Sequence, residues 1–447
     1  SISMFLPIFS IKEIIYFFIE NFILYDTILI MKNIFLIIFI FFNLILSTVL
    51  GAENLDNITS TNYGVYEADN LKQLYGQNTQ EKISIASITK LMTAVIAIEN
   101  INDLNEYITV DYSLISKSLD PELAVAGIYN GQTLTYYDLL ATMLIPSGAD
   151  SAIYLSEIIF NDSTEFINQM NKKAHELQMN NTNFSNVTGL DDENNYSTIE
   201  DVAKLLKYVL ENNTLKEIIS LKEYTTTDGK LTVSSTISRS AQRYGIDINY
   251  ILGGKTGTTG DAGICLASYF NDESVELITV VTGADMYSTE PFNIIDTESL
   301  DEYISDTYSM QNIISTGEEI LRLNTLNCKQ DSVTFYSDTN ITKYLDKLDK
   351  SKINIEYNGV EILTSNIQEG EKIGEISIYY DNELLKTSDI ILNEKLDFSL
   401  TKWISNNRYP ILITIASILV LSILFYIKFK KKSKNLKSKI KTKNSKK

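Results

Sequence analysis

The chain has 447 residues, 44% hydrophobic and 21% charged, with a formal charge of −19. That length accommodates two soluble domains plus accessory segments, and the composition fits neither a disordered chain nor a polytopic membrane protein. Eleven lysines and no acid fall between Lys428 and Lys447, leaving about −30 on the remainder by subtraction. So acidic a body argues against nucleic acid as a partner. His175 is the single histidine, so a His-based triad has one candidate base and a multi-histidine zinc peptidase is excluded. Cys265 and Cys328 fall in different expected domains, which argues against a disulfide framework.

In chain order, Ser1–Ile30 is apolar but interrupted by Lys12, Glu13, Glu20 and Asp26. It reads as upstream sequence translated in error, the alternative being two packed membrane helices. Residues 31–52 read as a signal peptide: Met31-Lys32-Asn33, an apolar run from Ile34, and small residues ending at Ala52.

Residues 53–314 mix helical and strand patterns and read as an α+β domain. Ile88–Asn100 places Leu91, Val95 and Ile98 on one helical stripe. Tyr137–Met143 and Ala152–Ile159 read as buried helices flanking a tight Pro146-Ser147-Gly148 corner, and Glu165–Leu177 and Ile199–Glu211 as amphipathic ones. Ile264–Tyr269 and Val275–Thr282 are β-branched and aromatic runs expected to be strands.

Residues 315–398 change character. Ser332–Tyr336, Ile353–Tyr357, Lys372–Tyr380 and Glu383–Leu392 are short strands separated by Asn-Gly, Glu-Gly and Asp-Asn turns, expected to form a small all-β spacer domain. Tyr409–Ile427 then gives nineteen uncharged residues, enough for a transmembrane helix, with Trp403, Tyr409 and Tyr426 at belt positions. The lysine run 428–447 is expected to stay cytoplasmic, which makes this a single-pass cell-membrane protein with its body outside.

Three elements carry chemistry. Ser87 and Lys90 in Ser87-Ile88-Thr89-Lys90 lie one turn apart on a helix face, where a desolvated amine can activate the hydroxyl. Lys255-Thr256-Gly257-Thr258 sets a cation beside a hydroxyl on an expected edge strand, suited to a carboxylate, with glycine allowing close approach. Ser147, in Ser147-Gly148-Ala149-Asp150, is either a proton relay or a helix N-cap. Each element alone is ordinary: a chance spacing, a hairpin with a lysine, a cap. Asp191-Asp192-Glu193 lacks a calcium spacing and reads as a solvated loop, and Cys265 as a small buried hydrophobe. No metal or cofactor is expected.

The order Ser-x-x-Lys, Ser-Gly, Lys-Thr-Gly, with gaps of 60 and 108 residues, resembles the motif set of penicillin-binding proteins and serine β-lactamases. Ala86–Ala94, Asp138-Leu139-Leu140 before Pro146, Gly189–Asn194 and Gly254–Thr259 with Ala262-Gly263 make the chain most similar to the D-alanyl-D-alanine carboxypeptidases of low molecular mass. The resemblance implies an antiparallel sheet with a helical half, then the all-β domain and the membrane helix. It also implies that Ser87 attacks the carbonyl between two D-alanines of a peptidoglycan pentapeptide while Lys90 takes its proton. Ser147 passes a proton to the leaving D-alanine, Lys255 and Thr256 hold the terminal carboxylate, and the N–H groups of Ser87 and Thr258 form the oxyanion hole. β-Lactams are expected to trap Ser87. Two places depart from the family pattern: Ala149, where asparagine is common, and Thr188, where histidine is frequent. A β-lactamase or transpeptidase using the same site, and a decayed wall-binding homologue, are the alternatives.

Overall fold

The computed structural model describes Leu55 and residues 58–444, with side chains as far as 433. The expected signal peptide and the stretch before it lie outside the described residues. The chain divides into two compact units between Thr307 and Tyr308, ahead of the 314 boundary read from sequence. Strand Ser309–Ile314 accounts for the difference, because it pairs antiparallel with Ile341–Leu345 in the second unit.

The first unit opens with β1 (Asn62–Glu67) and β2 (Gln73–Gln77). A 3₁₀ turn, Ala86–Thr89, leads into α1 (Lys90–Asn100); α2 (Tyr136–Leu144), α3 (Ala149–Phe160), α4 (Ser163–Glu176), α5 (Ile199–Glu211), α6 (Asn213–Ser220) and α7 (Thr236–Tyr244) follow. Then come β3 (Gly253–Thr259), β4 (Gly263–Asp272), β5 (Val275–Ala284) and α8 (Phe292–Thr307). The sheet order is β2-β1-β5-β4-β3, with every pairing antiparallel. The helical half is therefore an insertion between β2 and β3, and the first strand returns to pair with β5.

Covering both faces of the sheet explains why β4 and β5 are nearly continuous apolar runs. Ile278 and Val280 of β5 join the main core with α1 and α5, while Thr279 between them hydrogen-bonds Asp301 of α8. Helix α1 is buried from Lys90 through Ala97, so it is a core helix with no solvent face over that stretch. Its starting position beside the sheet is what brings residues 87–90 to the edge strand. Local signals set the other ends: Thr135 and Asp138 form a capping box on α2, and the Thr198 hydroxyl accepts from the Asp201 N–H on α5.

The second unit is built of three small sheets. Ser309–Ile314 pairs with Ile341–Leu345; Glu319–Leu326 lies between Ser332–Tyr336 and Ile362–Thr364; Lys372–Tyr380 lies between Ile353–Gly359 and Glu383–Ile391. Two apolar clusters fill it, one around Val333, Leu363 and Ile376, the other around Ile314, Ile341 and Ile378. Helices α9 (Leu400–Asn406) and α10 (Arg408–Asn444) close the chain. Within α10, Arg408–Ser433 contains an 18-residue stretch of mean hydropathy 2.5 and is long and apolar enough to cross a membrane.

Candidate active site

Ser87 sits in the 3₁₀ turn, partly exposed, with Lys90 buried beneath it. Lys90 Nζ lies 2.7 Å from Ser87 Oγ and 2.8 Å from the Thr188 carbonyl oxygen. The loop that supplies this carbonyl is fastened from below: Asn186 Oδ1 accepts the N–H groups of Thr188, Gly189 and Leu190 at 3.2, 2.7 and 3.1 Å. Gly189 has φ +84°, and a Cβ there would stand 1.8 Å from the Ala86 carbonyl oxygen. Glycine is required because the loop presses directly on the turn that carries Ser87.

The Pro146-Ser147-Gly148 corner joins α2 to α3. Ser147 is 6% exposed and adopts φ 68°, a left-handed conformation uncommon for a side-chain-bearing residue. Ala86, next to Ser87, does the same at φ 47°, so two of the strained positions flank the site, where such strain tends to concentrate. The N-cap of α3 is Gly148, without a side-chain bond; the Ser147 hydroxyl instead accepts from Lys255 Nζ at 2.8 Å. Ala149 is fully buried and its N–H donates to the Ala124 carbonyl at 2.8 Å. Asp150 turns away and accepts the N–H groups of Ala126, Gly127 and Ile128 at 2.8, 2.8 and 3.1 Å, pinning that loop beneath the corner.

The third side is β3, the sheet edge. Lys255 is 1% exposed, whereas Thr256 and Thr258 reach solvent. At Gly257 the strand crosses the Ser87 turn so closely that a Cβ would lie 3.1 Å from the Ser87 nitrogen and 2.9 Å from Ala86 Cβ. That crossing sets Thr258 beside Ser87. From α7, Thr236 joins two of the elements: its hydroxyl meets the Thr256 hydroxyl at 2.7 Å, and its N–H donates to the Ile145 carbonyl at 3.2 Å.

Both lysines sit in a place that disfavours the charged form. Burial pushes the Lys90 amine down to about 7, against the opposing field of the Asp150 carboxylate. Burial, reinforced by Lys90, holds Lys255 well below its ordinary range. The arrangement can therefore supply a neutral amine to a serine hydroxyl, and a second amine whose protonation depends on an incoming anion.

Ser87, Lys90, Ser147, Lys255, Thr256, Gly257 and Thr258 thus converge on one cleft. Sequence reading missed the Thr188 carbonyl, which carries no residue-type signal, and Thr236, which lies in no motif. Elsewhere, Asp191 accepts from the Ser84 hydroxyl at 2.9 Å and the Asp261 N–H at 3.0 Å, fastening loops on either side of the cleft. No group of three metal-ligating side chains occurs among the described residues. His175 is exposed in the last turn of α4, and burial pushes the Cys265 thiol up to about 12.

The profile of the D-alanyl-D-alanine carboxypeptidase family, peptidase S11, matches residues 50–286, and that of the penicillin-binding protein 5 C-terminal domain matches residues 308–397. The D-alanyl-D-alanine carboxypeptidase DacF of Bacillus subtilis is 27% identical over 337 residues, covering 74% of this chain and 84% of the relative. Penicillin-binding protein 5 of Haemophilus influenzae superposes with a TM-score of 0.55 at 21% identity, over 76% of this chain and 98% of that one. The peptidoglycan synthesis regulatory factor PBP3 of Streptococcus pneumoniae gives 0.59 at 22%, over 76% and 99%. These likenesses show the same two-part fold, and with the profile spanning more than half of the sequence, the chain belongs to the D-alanyl-D-alanine carboxypeptidase family of serine peptidases.

Proposed function

We propose that the chain removes the terminal D-alanine from peptidoglycan stem peptides through an acyl-enzyme on Ser87. One observation carries the reading: Ser87 Oγ lies 2.7 Å from a buried Lys90 amine whose pKa is depressed to about 7. Ser87 Oγ attacks the carbonyl carbon of the penultimate D-alanine and its proton passes to Lys90. The N–H groups of Ser87 and Thr258 receive the oxyanion. The C–N bond breaks as the leaving amine takes a proton from the Ser147 hydroxyl, which Lys255 replenishes. The proton that Lys90 took passes on to Lys255, leaving Lys90 neutral. Water then attacks the ester as Lys90 takes one of its protons, and the ester C–O bond breaks as Lys90 returns that proton to Ser87 Oγ, releasing the shortened peptide as its acid.

The terminal carboxylate is held by Lys255 and Thr256. Lys255 Nζ donates to the Ser147 hydroxyl and the Thr256 carbonyl, both uncharged; a bound carboxylate supplies a counter-charge and favours the ammonium form. β-Lactams, which carry a strained amide and a carboxylate, are read as forming a stable ester with Ser87. Tyr409–Ile427, within the apolar helix stretch Arg408–Ser433, is read as a single-pass anchor, with the lysines from Lys428 onward cytoplasmic and both folded units outside; the charge asymmetry supports this orientation. On the same reading, the catalytic domain runs from the end of the signal peptide to about Thr307.

Intact-mass analysis after penicillin treatment tests the assignment. One adduct on the wild type and none on Ser87→Ala is the expected result, with D-alanine release lost in parallel. An adduct retained by the variant would place the nucleophile elsewhere, and a wild type that takes no adduct would favour a decayed site. Release of the adduct within seconds would instead indicate a β-lactamase.

A further inference from the structure

The second unit contains a cavity of about 470 Å³, well away in sequence from every catalytic motif. Two runs of consecutive residues line it, 333–338 and 388–391. A strand that turned a face to a cavity would contribute every second residue. Consecutive residues mean that Ser332–Tyr336 and Glu383–Ile391 each present an edge there, with its backbone N–H and C=O groups. Each of these strands ends its sheet, with one neighbour on the far side: Glu319–Leu326 for the first and Lys372–Tyr380 for the second.

The flanking bonds show which groups on the first edge are spare. Thr325 N–H donates to the Asp331 carbonyl at 3.0 Å, and Ser337 N–H to the Glu318 carbonyl at 2.9 Å. Odd-numbered residues thus bond inward along that ladder, and Thr334 and Tyr336 turn their backbone groups to the cavity. Edges of this kind are usually blunted by charged side chains or proline, and Ser332–Tyr336 carries neither. The side chains call for an occupant of mixed character. Ile320, Ile376, Ile378 and Ile390 give the cavity its apolar lining, while Asp338, Asp389 and Glu394 are exposed around it. Lys386 is the one cation among the lining residues. It spans the two walls, pairing with Asp338 at 3.3 Å and donating to the Thr339 hydroxyl at 2.7 Å.

We propose that this cavity receives an extended segment of another protein, which pairs with the two edges as an added strand and alternates apolar with basic side chains. The segment's backbone satisfies the open edges, and its apolar side chains meet the isoleucines. Its basic side chains answer three carboxylates set against one ammonium. The site would make the second unit a docking module, with a role separate from the chemistry at Ser87.

The probe is a fluorescein-labelled peptide of alternating valine and lysine, titrated against the full chain in detergent micelles and read by fluorescence anisotropy. Saturable binding is expected, weakened by roughly tenfold when alternate peptide nitrogens are methylated or when glutamate replaces lysine. Thr334→Pro removes a spare N–H from the edge without touching the inward ladder, and should weaken binding by a similar factor. Asp338→Lys/Glu394→Lys changes only exposed positions and should do the same, with wild-type circular dichroism. Absence of saturable binding, equal binding of the methylated peptide, or binding indifferent to the charge-reversed pair would each overturn the proposal. Saturation by N-acetylglucosamine oligomers in place of the peptide would overturn it in favour of a glycan.

Discussion

The pH dependence of acylation follows from the burial of Lys90. With the amine depressed to about 7, roughly one Lys90 in a hundred is neutral at pH 5, about one in ten at pH 6 and half at pH 7. Only the neutral form can take the Ser87 proton, so the rate rises with pH and the proton is lost in the productive direction. Acylation by a fluorescent penicillin should therefore be about a hundredfold slower at pH 5 than on its plateau, and should gain only about twofold between pH 7 and pH 9. A lysine at its ordinary value would gain about a hundredfold over that second interval, still climbing at pH 9. The two cases differ by a factor of about fifty where the protein is easily handled. The assay is the second-order rate of adduct formation at constant ionic strength, with circular dichroism confirming an unchanged fold across the range. Lys90→Ala should abolish the break along with most of the rate. A rate that climbs tenfold per pH unit through pH 9, or one flat from pH 5 to 8, would remove Lys90 as the base.

The other expectations concern the groups around that pair. Lys255→Ala should reduce turnover of acyl-D-Ala-D-Ala far more than turnover of the C-terminally amidated analogue, the charge-assisted bond being on the order of 1.5–3 kcal/mol; equal losses would show that Lys255 acts by its field on other groups. Calorimetry in buffers of different ionisation enthalpy should show proton uptake when Ser87→Ala binds the free-acid peptide near neutral pH and none with the amide, since burial and the neighbouring Lys90 disfavour the Lys255 ammonium until an anion joins it. Thr236→Val should raise KM for the free-acid peptide by roughly two- to tenfold, the worth of one neutral hydrogen bond, with Thr236→Ser restoring it; a loss shared equally by the amide would mean a merely structural role. Gly189→Ala should cost roughly 2–5 kcal/mol, from positive φ and from overpacking on the Ala86 carbonyl, and a thermal melt indistinguishable from wild type would contradict the close approach.

The motifs were legible because each is short and puts its own chemistry in sequence. Ser87 and Lys90 need only one turn of helix to meet, and Lys255-Thr256-Gly257 needs only a strand. The long helices and the central strands were legible from periodicity. What stayed hidden is non-local. Strand β1 is buried at all six residues between β2 and β5, so it shows no alternation, and its Asn62, Gly64 and Glu67 weaken any strand signal. Helix α8 has acids on a buried face: Asp296 accepts from the Ser60 N–H and hydroxyl at 2.7 and 2.6 Å, tying down the start of the sheet, and burial holds Asp301 well above the usual carboxylate range. An amphipathicity argument counts both as solvent-facing. Thr188 contributes a carbonyl, which every residue owns, so only the fold could single it out.

The two lysines also explain how the site can do without the amide that Ala149 replaces. In the empty cleft both amines are pushed toward neutrality, and only Lys90 has a compensating carboxylate, Asp150, acting on it. Asp150 itself is committed to four backbone N–H groups, those of Ala126, Gly127, Ile128 and Ser151, so it acts through its field and not by contact with substrate. When a carboxylate enters beside Lys255, the preference reverses there: the new anion stabilises an ammonium at Lys255, and that ammonium, close to Lys90, disfavours a second one. On the proposed reading, substrate binding would sort the protons, charging Lys255 to hold the anion and clearing Lys90 to act as base. A substrate without the terminal carboxylate fails on both counts, losing its own contact and the signal that readies Lys90. On the proposed reading, discrimination for a free C-terminus would reside in the charge coupling of Lys90 and Lys255, and an amide at position 149 would add contact without adding to it.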